Sequence, residues 1–382
     1  MAVINIYVVR RGDTLWNLAR RFGTTVEKLA FDNQLADPSR LPAGLALIVR
    51  DAPGAAPQSG VVECNGYAYP NIAGAVLEEY MPFLTFLCPF SWQADAEGGL
   101  TPIADQEPVV SAYSGGTAPL LTITNIGRSG GFSGAIAHSL FTDPAAGERF
   151  TANMLSALRG RKYYGVNLDF EYVFPFDRDN YSAFIEKLAG ILHPLGYYFV
   201  TTVAPKESDG QPGLLYEAVD YAAHGRTADR VIIMTYEWGY TYSPPRAVSP
   251  VNKVLDVLDY AVTRIPPGKI LMGLSNYGYS WALPWKQGSA ARVISNAGAA
   301  DLAASVYAEI RFDAAAQAPY FRYTDPDGIQ REVWFEDPRS FAARLRLVSE
   351  YALAGASFWT INRLYRPALL VLQSMYGVEK IL

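Results

Sequence analysis

The sequence predicts an α/β protein in which a closed (β/α)8 barrel, the TIM-barrel architecture, follows a small βααβ domain. Beyond residue 60, eight apolar strand-like segments alternate with amphipathic helical segments, the pattern of parallel strands joined by helices. The first fifty residues instead read as strand–helix–helix–strand, and an Ala-, Pro- and Gly-rich stretch at 51–60 follows them. We therefore expect domains at 1–50 and 61–382, joined by a linker at 51–60.

The first unit begins with an alternating strand, INIYVV, and ends with a second strand, LPAGLALIVR. Two helices are predicted between them. In GDTL either Asp13 or Thr14 is placed to cap the first helix, and in TTVEKLAFDN either Thr24 or Thr25 is placed to cap the second. The unit has an apolar core of its own, which with the linker predicts a separately folded, tethered module.

The stretch YVVRRGDTLWNLA resembles the most recognisable part of LysM domains, small modules that bind N-acetylglucosamine-containing glycans. In that family the sugar lies across the loops after the first strand and before the last strand. The resemblance implies glycan contacts from Gly12, Asp13, Thr14 and the stretch around Asn33. A βααβ module without a ligand is the alternative.

Eight segments of the remaining chain are predicted to be the barrel strands. In chain order they are VVECNGYAYP, LTFLCPFSW, LLTITNIG, YYGVNLDFEYV, YYFVTTVAP, RVIIMTYEWGY, KILMGLSNYGYSW and GASFWTINRL. Helical segments between them, such as SPVNKVLDVLDYAVTRIP, carry apolar residues at three- and four-residue spacing. One segment, about 286–337, breaks the alternation, because DPDG at 325–328 predicts a hairpin turn between YFRY and REVWF. We expect a small α+β insertion there, before the eighth strand.

Composition argues against several classes of function. The 382 residues carry a net charge of −5 with dispersed Lys and Arg, which does not suit nucleic-acid binding, and no run of 18 apolar residues would span a membrane. The N-terminus lacks the features of a secretion signal. The histidines lack metal-ligand spacing, and Cys64 and Cys88 lie in apolar runs, as core thiols would. We expect no metal, no cofactor, no nucleic-acid partner and no membrane partner; the oligomeric state stays open.

The fourth predicted strand, at 163–173, carries a polar row. Side chains alternate along a strand, so Asn167, Asp169 and Glu171 share one face. Active sites of such barrels form at the carboxyl ends of the strands, and two carboxyls whose Cα atoms lie about 6.5–7 Å apart there do not ionise independently. One of them then holds a proton near neutral pH, as a general acid requires. Hydrogen-bonded polar residues inside a barrel are the structural alternative.

The segment YGVNLDFEY resembles the fourth-strand motif of family 18 glycoside hydrolases, D-x-x-D-x-D-x-E. The resemblance implies that Glu171 is the catalytic acid and Asp169 the assisting aspartate. Asn167 and Tyr164 replace the other two aspartates, and Asn167 is expected to hydrogen-bond Asp169 from below. The family is also the substrate-assisted exception among retaining glycosidases: the acetamido oxygen of the sugar attacks C1 and forms an oxazolinium ion.

Two further segments match the same family. MTYEWGY at 234–240 resembles its M-x-Y-D motif, so Tyr236 would orient the acetamido group, and Glu237 stands where an aspartate is usual. GASFWTI at 355–361 resembles the final strand, whose Trp, here Trp359, lies under the cleaved sugar; a buried packing Trp is the alternative for that residue alone. The expected substrate-binding residues also include Trp238, Tyr67, Asn276 and Tyr279.

Within family 18, NLDFEY, MTYEWGYTYSPPRAV and APYFRYTDPDGIQREVWFED resemble bacterial N-acetylglucosaminidases that degrade spore cortex peptidoglycan. The resemblance implies that activity, with peptidoglycan as the partner. It also implies a place in the spore layers, cortex or coat, after synthesis in the mother-cell cytoplasm. Two alternatives stay open: a chitinase or another hydrolase of N-acetylglucosamine polymers, and a non-catalytic glycan-binding spore coat protein.

Overall fold

The computed structural model describes residues 4–50 and 60–382, so the predicted linker lies outside the described residues apart from Gly60. Within residues 4–50 the predicted strand–helix–helix–strand order is present. Strands β1 (Ile4–Val8) and β2 (Ala46–Arg50) pair antiparallel, and helices α1 (Leu15–Arg21) and α2 (Val26–Asn33) connect them.

Threonine side chains cap both of these helices. Thr14 Oγ1 accepts a hydrogen bond from the backbone N–H of Asn17 at 3.1 Å, and Thr25 Oγ1 accepts one from that of Lys28 at 3.1 Å. These bonds satisfy N–H groups that have no partner within the helix. Asp13, the other candidate for the first cap, instead accepts from the hydroxyl of Tyr7 at 2.8 Å.

Residues 60–382 contain the remaining elements. The strands are β3 (Val61–Ala68), β4 (Phe86–Pro89), β5 (Trp92–Ala94), β6 (Leu100–Thr101), β7 (Ala118–Thr124), β8 (Gly165–Asp169), β9 (Tyr198–Val203), β10 (Arg230–Ile233), β11 (Ile270–Ser275), β12 (Gly278–Leu283), β13 (Arg292–Ile294), β14 (Arg311–Asp313), β15 (Ala318–Thr324), β16 (Gln330–Trp334), β17 (Gly355–Trp359) and β18 (Gly377–Val378). The helices are α3 (Gly74–Tyr80), α4 (Gln106–Ser114), α5 (Gly134–Thr142), α6 (Pro144–Arg161), α7 (Arg178–Leu192), α8 (Tyr221–Thr227), α9 (Val251–Ala261), α10 (Asn296–Ser305), α11 (Pro338–Glu350) and α12 (Arg366–Met375). Of the helices described, none has both the length and the apolar character needed to cross a bilayer.

Eight of these strands run parallel and close the predicted barrel. Their order is β3, β4, β7, β8, β9, β10, β11 and β17, and β17 pairs with β3 to complete the ring. A cluster that includes Leu120, Val200 and Ile232 fills the interior, while a larger apolar layer lies between the strands and the helices around them. The two cysteines are free and buried, as the sequence predicts.

The seventh predicted strand is two strands, so that prediction was wrong in its extent. β11 ends at Ser275 in the barrel, whereas β12 belongs to an antiparallel sheet in the order β13–β12–β16–β15–β14. The chain changes sheets here because the backbone N–H of Asn276 donates to the carbonyl oxygen of Trp359 at 3.0 Å, and β12 then pairs with β16. This sheet and α10 form the α+β insertion, and the predicted turn at 325–328 joins β15 to β16.

The N-terminal domain packs directly against this insertion, and the expectation of a separate core was wrong. Leu15, Leu29 and Leu47 belong to one buried apolar cluster with Ile310 and Phe335 of the insertion. Local patterning does not predict this contact, because the two halves of the cluster lie more than 200 residues apart in the chain. The apolar face of the small domain is therefore completed by the barrel domain.

Polar contacts fix the same interface. The backbone N–H of Ile310 donates to the carbonyl oxygen of Ala43 at 2.9 Å. Gly44, with φ of +86°, passes so near Ile310 that a Cβ would lie 1.8 Å from its carbonyl oxygen. On another side of the domain, Arg366 donates to the carbonyl oxygen of Phe31 at 2.8 Å and its guanidinium lies 3.9 Å from the centre of that ring.

Candidate active site

A cavity of about 670 Å³ opens at the carboxyl ends of the barrel strands. Its volume lies within the range of roughly 300–1,000 Å³ that is typical of small-molecule sites. Asp169 ends β8 and Trp359 ends β17, so the barrel itself brings these two residues to one mouth. The predicted site residues that line the cavity are Tyr67, Asp169, Glu171, Tyr236, Glu237 and Trp359.

Two carboxyl groups at the end of β8 dominate the electrostatics of the cavity. Asp169 is only 3% exposed, and Glu171 follows the strand on irregular backbone, because β8 is shorter than the predicted strand. Burial raises the pKa of Asp169 to about 7. Burial, together with the charges of Asp169 and Glu237, raises the pKa of Glu171 well above its ordinary value. The pair can thus hold a proton at neutral pH, which makes Glu171 a candidate proton donor.

The carboxyl group of Asp169 is unusual because its Oδ1 atom is buried without a hydrogen-bond partner among the described residues. The expected bond from Asn167 is not formed. The amide of Asn167 donates to the hydroxyl of Tyr67 at 2.8 Å and accepts from the hydroxyl of Thr202 at 3.0 Å. The amide of Asn167 is thus engaged by these two hydroxyls rather than by Asp169, and Oδ1 of Asp169 remains available to a ligand.

Glu237 supplies a third carboxyl group to the cleft. Its backbone has φ of +68°, in the left-handed region, and its carboxylate accepts hydrogen bonds from the hydroxyls of Tyr277 and Tyr279. Burial raises the pKa of Glu237 while these two bonds lower it, and the net direction is upward. Within residues 4–50 and 60–382, no three His, Cys, Asp or Glu side chains cluster as metal ligands would.

Tyr236 and Trp359 provide the aromatic surfaces of the site. Tyr236 is 8% exposed, and its burial together with the three neighbouring carboxyl charges raises the pKa of its phenol well above the ordinary value, so the hydroxyl is a hydrogen-bond donor at neutral pH. The rings of Tyr67, Tyr69 and Phe90 contact Trp359 edge-on, with centroid distances of 5.3, 6.0 and 4.8 Å. These contacts lock the orientation of the indole, which suits a flat platform under a sugar.

A second cavity of about 440 Å³ continues from the first toward the insertion. Tyr69, Glu237 and Trp359 line both cavities, so the two form one cleft. Tyr277 and Tyr279 belong to the wall of the second cavity, which means that the insertion contributes directly to the cleft.

Comparison with protein families agrees with this geometry. Residues 119–363 match the family model described as glycosyl hydrolases family 18, and residues 7–50 match the model described as LysM domain. The chain belongs to family 18 of the glycosyl hydrolases. It is therefore a glycoside hydrolase, with a LysM domain before its catalytic barrel.

Relatives of this family 18 enzyme share both domains. A cortical fragment-lytic enzyme of Bacillus subtilis is 38% identical, and the alignment covers 99% of each chain. The crystal structure of the Bacillus cereus spore cortex-lytic enzyme SleL superposes with a TM-score of 0.93 at 33% identity, over 99% of each chain. The Bacillus megaterium SleL structure superposes with a TM-score of 0.94 at 28% identity, over 100% of each chain.

Two of the predicted substrate-binding residues have other surroundings. Trp238 is absent from the described residues that line either cavity and packs against the apolar layer around the barrel. Asn276 lines the second cavity, but its Nδ2 donates to the carbonyl oxygens of Thr360 and Arg363, both at 2.9 Å. Trp238 therefore lies among packing residues outside both cavities, whereas Asn276 lines the second cavity and also holds the loop after β17; a substrate contact from either residue stays a prediction.

The predicted LysM residues divide in the same way. Gly12 and Thr14 are exposed and Asp13 is partly exposed, so this loop can meet a glycan. Asn33 is 6% exposed, and its side-chain amide is hydrogen-bonded to the backbone. It accepts from Ile48 N–H at 2.6 Å and donates to the carbonyl oxygens of Leu29 and Ile48, both at 2.9 Å. The Asn33 side chain therefore joins α2 to β2, and the glycan contact expected from the stretch around Asn33 stays a prediction.

Several cleft residues were not predicted. Tyr69 and Phe90 follow β3 and β4, Ile126 and Phe132 follow β7, and Tyr240 follows β10. The usable signal was position, since an aromatic or apolar side chain just beyond a barrel strand points to the mouth. Residues of the loop after β9, including Leu214 and Tyr216, had no such signal because they lie well beyond the strand.

Proposed function

We propose that this family 18 enzyme is an N-acetylglucosaminidase that cleaves spore cortex peptidoglycan and its fragments. The observation that carries the proposal is the match over 99% of both chains to a cortical fragment-lytic enzyme, which extends through the LysM domain as well as the barrel. A carboxyl pair with raised pKa values at the barrel mouth supplies the acid chemistry.

In the first step, Glu171 acts as the general acid. Its raised pKa keeps a proton on the carboxyl near neutral pH, ready for transfer to the oxygen of the leaving sugar as the C1–O bond breaks. In the second step the resulting carboxylate takes a proton from the attacking water. The same residue thus serves as acid and then as base.

The nucleophile is the acetamido oxygen of the substrate. Asp169 ends β8 only two residues before Glu171, so it lies beside the acid, and the carboxylate of Glu237 is engaged by the hydroxyls of Tyr277 and Tyr279. These placements favour a nucleophile from the substrate over a carboxylate that faces the acid across the scissile bond. Attack by the acetamido oxygen forms an oxazolinium ion, and water then opens that ring at C1, so the anomeric configuration is retained.

The remaining residues stabilise this intermediate. The unpartnered Oδ1 of Asp169 faces the positively charged nitrogen, an interaction that is strong because the group is buried. The hydroxyl of Tyr236 donates to the acetamido oxygen, and Trp359 supports the sugar ring from below. Glu237 binds sugar hydroxyls from the side of the insertion.

We further propose that residues 1–50 form the glycan-anchoring domain, with contacts from Gly12, Asp13 and Thr14, and that residues 61–382 form the catalytic domain. The exposure of that loop supports the first assignment. We also propose that the enzyme acts in the spore layers, because the cortex, the material named in the descriptions of its relatives, lies there.

Mass spectrometry of products tests the proposal. Pure enzyme is incubated with cortex fragments, vegetative peptidoglycan and chitin, and products are reduced with borohydride before analysis. We expect cortex fragments to be cleaved fastest and every new reducing end to be N-acetylglucosamine, with Glu171→Gln as the inactive control. Faster cleavage of chitin would identify a chitinase instead. An intact substrate in all three incubations would identify a glycan-binding protein without activity.

A further inference from the structure

Glu171 lies where the sheet no longer holds its backbone. The parallel pairing between β7 and β8 ends at Thr124 and Asp169. Glu171 comes two residues later, and the next residue, Tyr172, has φ of +54° in the left-handed region. Within the part of the chain that the structure describes, no paired strand therefore fixes the backbone from which the proton donor projects.

The side chain of Asn125 takes the place of that neighbour. Asn125 directly follows β7 and is fully buried. Its Oδ1 accepts from the backbone N–H of Glu171 at 3.0 Å, and its Nδ2 donates to the carbonyl oxygen of Glu171 at 2.8 Å. One amide group thus brackets the backbone of a single residue on both sides, as a paired strand would.

We propose that Asn125 is a positioning residue that sets the place of the catalytic acid, an inference that rests on the role proposed above for Glu171. Bonding both the backbone N–H and the carbonyl oxygen of Glu171 requires a donor and an acceptor on one short side chain. An asparagine provides both, and an aspartate does not. Because the side chain of Asn125 is fully buried, its removal leaves the backbone N–H and carbonyl oxygen of Glu171 without these two partners.

The same side chain also connects the acid to one wall of the cleft. Nδ2 of Asn125 donates to the carbonyl oxygen of Ser133 at 3.0 Å, and the backbone N–H of Ser133 donates back to the carbonyl oxygen of Asn125 at 2.9 Å. These bonds close the turn whose residues Ile126 and Phe132 line the main cavity. Asn125 therefore holds the proton donor in register with the surface that receives the leaving part of the glycan.

The test compares two substrates with the same N-acetylglucosamine unit, one carrying a sugar leaving group and one carrying a nitrophenol. A displaced acid harms only the reaction that needs protonation of the leaving oxygen. We expect Asn125→Ala to lower kcat on the order of 10²-fold for the sugar leaving group, with much smaller losses for the nitrophenol and little change in KM.

Asn125→Asp preserves the volume of the side chain, so it serves as the test if the alanine variant does not fold. It should be most impaired at high pH, where the new carboxylate repels two carbonyl oxygens, and recover at low pH.

Asn362→Ala is the matched control. Asn362 brackets the backbone of Tyr69 in the same manner, with bonds of 2.7 and 3.3 Å, but holds no acid. Its loss should be equal for both substrates. Equal losses for both substrates in Asn125→Ala, or no loss, would overturn the proposal. Glu171→Gln distinguishes failure of the proposed acid from failure of the positioning role. If activity of that variant does not depend on the leaving group, Glu171 is not the acid, whatever the result for Asn125.

Discussion

The buried carboxyl oxygen of Asp169 that lacks a partner among the described residues costs folding free energy when it is charged. The upward shift of its pKa from 3.8 to about 7 expresses this cost, because the folded protein holds the proton more tightly than the unfolded chain does. The contribution of this group to stability is fully present below the unfolded pKa. It is lost as pH rises through about 7.

Replacing Asp169 with Asn should therefore separate stability from activity. The neutral amide removes the buried charge, so we expect the melting temperature to rise by on the order of a few °C at pH 8 and to change less at pH 5. Turnover should fall on the order of 10²-fold, since the charge that faces the oxazolinium nitrogen is gone. Calorimetry at both pH values and steady-state kinetics measure the two effects. A variant that is less stable at pH 8 than at pH 5, relative to wild type, would contradict the sign of this pKa shift.

The reacting sugar itself should supply the nucleophile, because the proposed mechanism uses the acetamido oxygen of the substrate rather than a carboxylate of the protein. The first product should keep its anomeric configuration, which NMR of a fresh reaction measures. Substrate that is chemically de-N-acetylated at the sugar contributing C1 should resist cleavage even though it binds. A thiazoline that mimics the oxazolinium ion should inhibit, because it resembles a charged intermediate that the site stabilises. Inversion, or fast hydrolysis of the deacetylated substrate, would point to a nucleophile from the protein.

At the scale of secondary-structure elements, local alternation allowed the eight barrel strands to be predicted, although the fourth strand ends at Asp169, earlier than predicted. It did not allow the break between β11 and β12 to be predicted, because both halves are apolar and only their partners differ. Those partners, β17 and β16, lie more than 45 residues further along the chain. The hydrogen bonds from two tyrosines to Glu237, and those from the amide of Asn276 to backbone carbonyls, depend on the same long-range pairing. Neither set of contacts could therefore be predicted from the local sequence.

A substitution at Gly278 tests whether the change of sheet between β11 and β12 matters for stability and activity. A Cβ at Gly278 would lie 2.2 Å from the carbonyl oxygen of Trp334, so Gly278→Ala must push β12 away from β16. We expect a loss of about 1–3 kcal/mol in unfolding free energy and a raised KM, because the displaced strand carries Tyr279 away from Glu237. Gly190→Ala is the control, since that glycine lies in helix α7 with open space around it; alanine favours helix more than glycine does, so this variant should lose no stability and should keep its KM. Denaturant titrations and kinetics that give the same result for both variants would show that β12 has room to shift.

At the scale of the whole molecule, the LysM domain and the insertion share one apolar cluster, and the insertion in turn lines the cleft. A glycan bound by the small domain is therefore presented from a fixed direction rather than from a freely moving tether. The docking also means that the LysM domain supports the wall that holds Glu237. Removing residues 1–50 would expose Phe321, Phe335 and Ile310, so loss of the domain should affect the catalytic domain as well as anchoring.

A single methyl group at the interface should reveal this coupling. Gly44→Ala places a Cβ 1.8 Å from the carbonyl oxygen of Ile310, whereas Gly23→Ala, in the same domain, meets open space. Both glycines have positive φ, +86° and +65°, so both variants share a conformational cost of about 1 kcal/mol and only the first adds a clash with the insertion. We expect Gly44→Ala alone to speed hydrogen exchange at the Ile310 amide, which bonds to Ala43, and to raise KM for soluble cortex fragments. If both variants exchange and turn over alike, the two domains act independently, and the contact between them plays no part in holding the cleft.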